Sequence, residues 1–138
     1  MRLTNFTDFG LRTLMKLAAD PDRSMTVDEI ATEFNLSRNH LAKVVQELAR
    51  NGFIITQRGA GGGFRLAQKP EDISIGEIAR TLEAPQALVE CFRADGGACV
   101  LTPHCRLKRH LARAQDAFFA ELDEISLADC AYRPEEDG

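Results

Sequence analysis

At 138 residues and 44% hydrophobic, the chain is long enough for one compact domain plus an extension and apolar enough to fold, which excludes global disorder. No apolar run reaches membrane-spanning length, and the start turns polar within Arg2, Thr4 and Asn5, too soon for a signal peptide, so a cytoplasmic protein with no membrane partner is expected. The net charge of −4 is unevenly spread: residues 1–69 carry ten Lys and Arg against seven Asp and Glu, and residues 70–138 carry seven against fourteen, a basic front suited to meeting phosphates.

A first helix is predicted from about Thr7 to Ala19, with Phe6, Leu11, Leu14, Met15 and Ala18 on one stripe; Asp20-Pro21-Asp22 ends it. Thr26-Val27-Asp28-Glu29 reads as a capping box that opens a short second helix, Val27 to Phe34. Asn35 makes the turn, because Asn tolerates the left-handed conformation that closes helices. Ser37 caps a third helix whose inward stripe is Leu41, Val44, Val45 and Leu48. Two short helices across a tight turn form a helix-turn-helix pattern. Phe53 to Gln57 is strand-like, Gly59-Ala60-Gly61-Gly62-Gly63 is a flexible tip, and Phe64 to Ala67 is a return strand, so a hairpin wing follows the recognition helix.

Ser74-Ile75-Gly76-Glu77 opens a fourth helix through Leu82, which Pro85 breaks. The segment from Cys91 to Cys105 bears glycines and is expected to be irregular. Beyond it, Leu107, Leu111, Ala114, Phe118, Leu122 and Ile125 recur at steps of three and four, a helix with one apolar seam and little in its own chain to cover it, so a second copy is the economical cover. The fold expected is mainly α: a winged helix-turn-helix domain with a small β-hairpin wing (1–84), a cysteine-rich loop (85–106), a long C-terminal dimerisation helix (107–130) and a frayed tail (131–138).

Chemistry concentrates in three places. Ser37, Arg38, Asn39 and His40, with Lys43 one turn on, stand where base edges are read: Arg grips guanine and Asn adenine through paired hydrogen bonds. Alone, this is equally a solvated helix start; the adjoining wing turns the reading towards DNA. In the wing, Arg58 and Arg65 bracket Gly59, Gly62 and Gly63, so backbone can approach a groove while arginines reach phosphates. No P-loop Lys follows these glycines, which removes a nucleotide-binding loop. Cys91, Cys99 and Cys105, at gaps of seven and five residues, can wrap a soft metal centre. They lack the Cys-x2-Cys knuckle of structural zinc, and a four-iron cluster would need a fourth ligand from elsewhere. Cys130 reads as a spare thiol; His104 and His110 belong to no catalytic grouping, and no enzyme is expected.

Four segments carry a family resemblance: Leu3-Thr4-Asn5-Phe6-Thr7-Asp8-Phe9-Gly10-Leu11-Arg12, Leu36-Ser37-Arg38-Asn39-His40-Leu41-Ala42-Lys43-Val44, the wing's Arg58-Gly59 with Gly62-Gly63, and Thr102-Pro103-His104-Cys105-Arg106-Leu107-Lys108. From about Met1 to Asp129 the chain resembles the NsrR-type nitric-oxide-sensing repressors of the iron–sulfur winged-helix regulator family, which also holds the IscR and RirA types. The resemblance implies a homodimer on a palindromic operator, with the long helix as interface. It implies a [4Fe-4S] cluster on Cys91, Cys99 and Cys105, completed by Asp8 from the other subunit. It implies repression of nitric oxide detoxification and nitrogen-oxide metabolism genes, relieved when nitric oxide attacks the cluster. IscR-type chains place a His three residues after the last cysteine; here that position is Lys108, which disfavours a [2Fe-2S] site of that kind. An iron- or redox-responsive regulator is the alternative, and a zinc- or thiol-based redox protein a more distant one. The seven-residue first gap requires the loop to bulge.

Overall fold

Thr4 opens the first helix by accepting the Thr7 amide on its hydroxyl, so α1 spans Asn5–Ala19, beginning two residues before the start the apolar stripe indicates. In the computed structural model, which describes residues 2–59 and 62–134, this helix is the central element of the winged domain. Leu14, Leu17 and Ala18 are buried, and α1 packs against both the third and the fourth helices.

Helix α2 (Val27–Phe34) is capped by Thr26, which accepts the Glu29 amide. The capping box closes on one side only: the Glu29 carboxylate turns to Arg23, 3.5 Å away. Asn35 adopts φ 54, ψ 51, the left-handed turn expected of it, and α3 (Arg38–Arg50) follows with Ser37 accepting the His40 amide. Leu41, Val44, Val45 and Leu48 are buried, as their period requires.

The wing pairs β1 (Ile54–Gln57) antiparallel with β2 (Gly63–Leu66), Ile54 opposite Leu66 and Gln57 opposite Gly63. Met25, just before α2, exchanges backbone hydrogen bonds of 2.9 and 2.8 Å with Phe64, tying β2 to the helix-turn-helix. Ala60 and Gly61 of the glycine tip lie outside the described residues, as does the end of the tail, 135–138.

Helix α4 (Ile75–Glu83) buries Ile75, Ile78, Ala79 and Leu82. From Ala84 to Arg106 the chain is irregular, as expected, apart from single 3-10 turns at Glu90–Phe92 and Thr102–His104. Gly96 and Gly97, at φ 79 and 67, reverse the chain there, and the Glu90 side chain accepts the Ala98 amide at 3.0 Å. The bulge that the first cysteine gap requires is this turn.

Helix α5 (Leu107–Asp123) corrects one expectation. It is not left uncovered by its own chain: Phe119, absent from the seam read in the sequence, is buried against α4 with the Arg80 guanidinium 5.4 Å over its ring. Leu122 and Ile125 also pack on the domain core. Phe118 and Phe119 lie about 100° apart on the helix, and a three-four spacing cannot say which of two adjacent faces is covered. Gly76 lets the two helices approach, because a Cβ there would collide with Asp123.

The helix stops at Asp123, and the chain returns to the winged domain. Leu127 is fully buried, its amide bonding Ile73 at 2.7 Å, and Tyr132 donates its amide to Met15 at 3.0 Å. Cys130, read as spare, is half-buried and packs against this core; burial, then the Asp129 charge, pushes its thiol pKa up.

Candidate nucleic-acid interface and cysteine loop

The start of α3 presents Ser37, Arg38, Asn39 and Lys43 to solvent, Arg38 with 71% of its side chain exposed. No acidic residue occupies the first turn of α3, so its positive end is uncompensated within the helix and favours an anion. His40 behaves differently from its neighbours. Its ring is half-buried, with centroids 4.8 Å from Phe9 and 6.3 Å from Phe6 of α1. Four of the five residues singled out on this helix therefore face water, and the fifth ties the helix to α1.

At the wing, Arg58 and Gly59 are exposed where β1 ends, while Gly62, Gly63 and Arg65 are half-buried. The Gly62 amide donates to the Gly59 carbonyl at 2.9 Å, closing the tip. Lys43, Arg58 and Arg65 have no ion-pair partner among the described residues, so their charges remain available to a polyanion. Arg38 is the exception: its Nε lies 2.5 Å from Asp28 Oδ1 of α2.

In the loop, Cys91, Cys99 and Cys105 are half-buried free thiols. Among the described residues, no three His, Cys, Asp or Glu side chains converge on a metal-binding grouping, so a single chain does not bring the three thiols and Asp8 together. Asp8 instead accepts two hydrogen bonds from Arg12, at 3.1 and 2.8 Å, one turn along α1. The donor set still suits an iron–sulfur cluster: three soft ligands on a loop with a glycine turn, and, three residues before Cys105, a buried Thr102 hydroxyl with no hydrogen-bond partner among the described residues. A thiolate or bridging sulfide is an acceptor that this hydroxyl lacks.

Two further residues matter that local sequence patterns do not mark. Asp28 reads as a helix-start acid, yet it meets Arg38 across the turn. Glu83, the last residue of α4, accepts from the Thr4 amide at 3.2 Å, from the Thr4 hydroxyl at 2.7 Å and from the buried Thr7 hydroxyl. It thereby fastens the start of α1 to the stem of the cysteine loop. Its partners lie 76 and 79 residues away, beyond any local pattern.

Comparisons with known proteins bear on the chain as a whole. Residues 3–133 match the Rrf2 family, described as an iron-dependent transcriptional regulator. The sequence is similar to the HTH-type transcriptional regulator NsrR of Geobacillus kaustophilus, 47% identical over 130 residues that cover 94% of this chain and 88% of that one. It is 44% identical over 137 residues to NsrR of Bacillus subtilis, covering 99% and 94%. The fold is similar to CymR (YrzC), the global cysteine regulator of B. subtilis, with TM-score 0.76, 32% identity and coverage of 95% and 96%. It is similar also to T. potens IscR, with TM-score 0.71, 25% identity and coverage of 94% and 85%.

Proposed function

The chain belongs to the Rrf2 family of transcriptional regulators, and from that premise we propose that it is a dimeric DNA-binding repressor that responds to nitric oxide through a [4Fe-4S] cluster. The observation that carries the DNA-binding part is the exposed start of α3, which has no acidic residue in its own first turn, beside a wing whose Arg58 and Arg65 have no ion-pair partner among the described residues. The operator is palindromic on this reading, because two recognition helices related by a twofold axis meet half-sites about 34–36 Å apart.

The second copy is seated along α5. Leu107 is 58% exposed, and Leu111 and Phe118 are only half-covered. The helix also carries its charges against its own dipole: Arg106, Lys108, Arg109 and Arg113 towards the N-terminus, Asp116, Glu121, Asp123 and Glu124 towards the C-terminus. Alone, that order destabilises a helix, and no side chain caps this one. Opposite an antiparallel copy, each basic half meets an acidic half.

Cys91, Cys99 and Cys105 would hold the cluster, with Asp8 of the partner subunit as the fourth ligand. Bound there, the cluster supplies iron that reacts with nitric oxide. The chain's own residues then relay the state of the loop. Glu83 ties the loop stem to the start of α1, and Phe9 and Phe6 of α1 bear on His40 of the recognition helix. A shift of α1 therefore re-aims α3, and small reorientations of paired recognition helices abolish fit to fixed half-sites. The genes controlled are, on this reading, those of nitric oxide detoxification and nitrogen-oxide metabolism.

The test is absorbance of anaerobically purified protein titrated with nitric oxide, with iron and sulfide counted and operator binding followed in parallel. A broad visible band that bleaches together with loss of DNA binding is the expected result. Protein that cannot be loaded with iron and sulfide would remove the cluster and leave a winged-helix DNA binder. An iron-responsive regulator is the second reading, favoured by the description of the family that the chain matches. On that reading a chelator releases DNA and nitric oxide does so no better.

A further inference from the structure

The cations of the DNA-facing surface are not treated alike. Lys43, Arg58 and Arg65 have no acidic partner among the described residues, whereas the guanidinium of Arg38 is held by Asp28 from the first turn of α2. The two side chains are 71% and 66% exposed, so neither is required by the core, and a pair this open adds little to stability. Electrostatically the arrangement is adverse for plain affinity. It places a carboxylate on the face that meets phosphates, and it neutralises the arginine nearest the helix start.

We propose that Asp28 is a specificity-determining residue: it holds Arg38 for the edge of a guanine and withholds it from phosphates. The proposal rests on the DNA-binding reading above. Arginine has five N–H donors in a rigid fork. Asp28 Oδ1 approaches the fork at Nε as an ion pair, and the two terminal nitrogens donate no hydrogen bond among the described residues. That end of the fork matches O6 and N7 of guanine in the major groove. An arginine already carrying a carboxylate is a poor ligand for a second anion, but it keeps its terminal N–H donors for neutral base atoms. When docking excludes water, the pair strengthens, and a base that cannot accept both donors leaves them unpaired. Asp28 thus trades phosphate attraction for discrimination.

The test uses the full-length protein in its DNA-binding state and a random double-stranded DNA library, with bound sequences read after selection. Asp28→Asn and Asp28→Ala are compared with the native chain and with Arg38→Lys, and thermal melting verifies that each variant folds. In both Asp28 variants, guanine preference at one position of each half-site is expected to fall about tenfold, within the range of one bidentate contact. Non-specific affinity at low salt is expected to hold or rise, and the salt slope to steepen by up to about one contact per subunit, as Arg38 turns to phosphate. Arg38→Lys is expected to lose preference at the same position, with no further loss in the double variant. Unchanged guanine preference in folded Asp28 variants would overturn the inference and reduce Asp28 to a helix-start acid. If the native chain enriches no sequence at all, the DNA-binding reading itself falls, an outcome distinct from the first.

Discussion

Thr102 shows how much one atom can say. A buried hydroxyl without a partner costs about 1–3 kcal/mol, and this one lies in the loop that carries the thiols. Thr102→Val keeps the shape and removes the orphan. The cluster-free variant is expected to melt no lower than the native protein, while the loaded variant loses iron faster to a chelator. Equal chelation rates would show that the hydroxyl has no business with the cluster. Cys130 makes the complementary point. Its folded-state pKa is raised by burial and then by Asp129, so the neutral thiol is favoured in the fold. Stability is therefore full below the ordinary thiol range of about 8.5 and declines as pH rises through the higher folded value. Cys130→Ala is expected to flatten that alkaline decline in melting temperature; an equally steep decline in the variant would assign it to other groups.

At the scale of elements, the joints are polar and the fillings apolar. Glu83 gathers the Thr4 amide and two threonine hydroxyls where α1 begins and α4 ends. Glu83→Ala leaves the fully buried Thr7 hydroxyl without its acceptor, and a loss of about 1–3 kcal/mol is expected in chemical denaturation. The same variant is expected to loosen the first turn of α1, read as faster amide exchange at Thr7 and Asp8. For α5, Arg109→Glu with Arg113→Glu is expected to weaken self-association by sedimentation, and Asp116→Lys with Glu121→Lys added to the same chain to restore it. Failure of the restoration would argue against an antiparallel pairing by charge. The helical periods, caps and turn at Asn35 were legible in the sequence because each depends on neighbours within one or two turns. Phe119, Glu83 and the return of Leu127 were not legible, because each depends on a partner brought close only by the fold.

Across the whole molecule, the winged-helix fold and the family were both readable, since motifs and hydrophobic periods run through most of the chain. The candidate site was readable in its residue types but not in its pairings. Nothing in Thr26-Val27-Asp28-Glu29 shows that Asp28 will face Arg38, or that His40 will lie against Phe9. Salt dependence sums the charges of the whole binding face. Replacing Lys43 or Arg58 with Ala is expected to weaken DNA binding evenly across sequences and to lower the salt slope by about one each per subunit. A change confined to certain sequences would place these side chains at base edges.

Helix α5 has unlike ends. One is sewn into the winged domain, by the close approach of Gly76 to Asp123 and by the strand-like return of Ile125 and Leu127. The other continues from Cys105 with no side-chain cap. Seventeen residues make a rod of about 25 Å, and its fixed end is a fulcrum. A displacement of about 3 Å at the thiol end turns such a rod by about 7°, and a second copy seated along it as proposed would turn as well. The loop that holds the thiols sits, in mechanical terms, at the long end of a lever whose short end is the DNA-binding body.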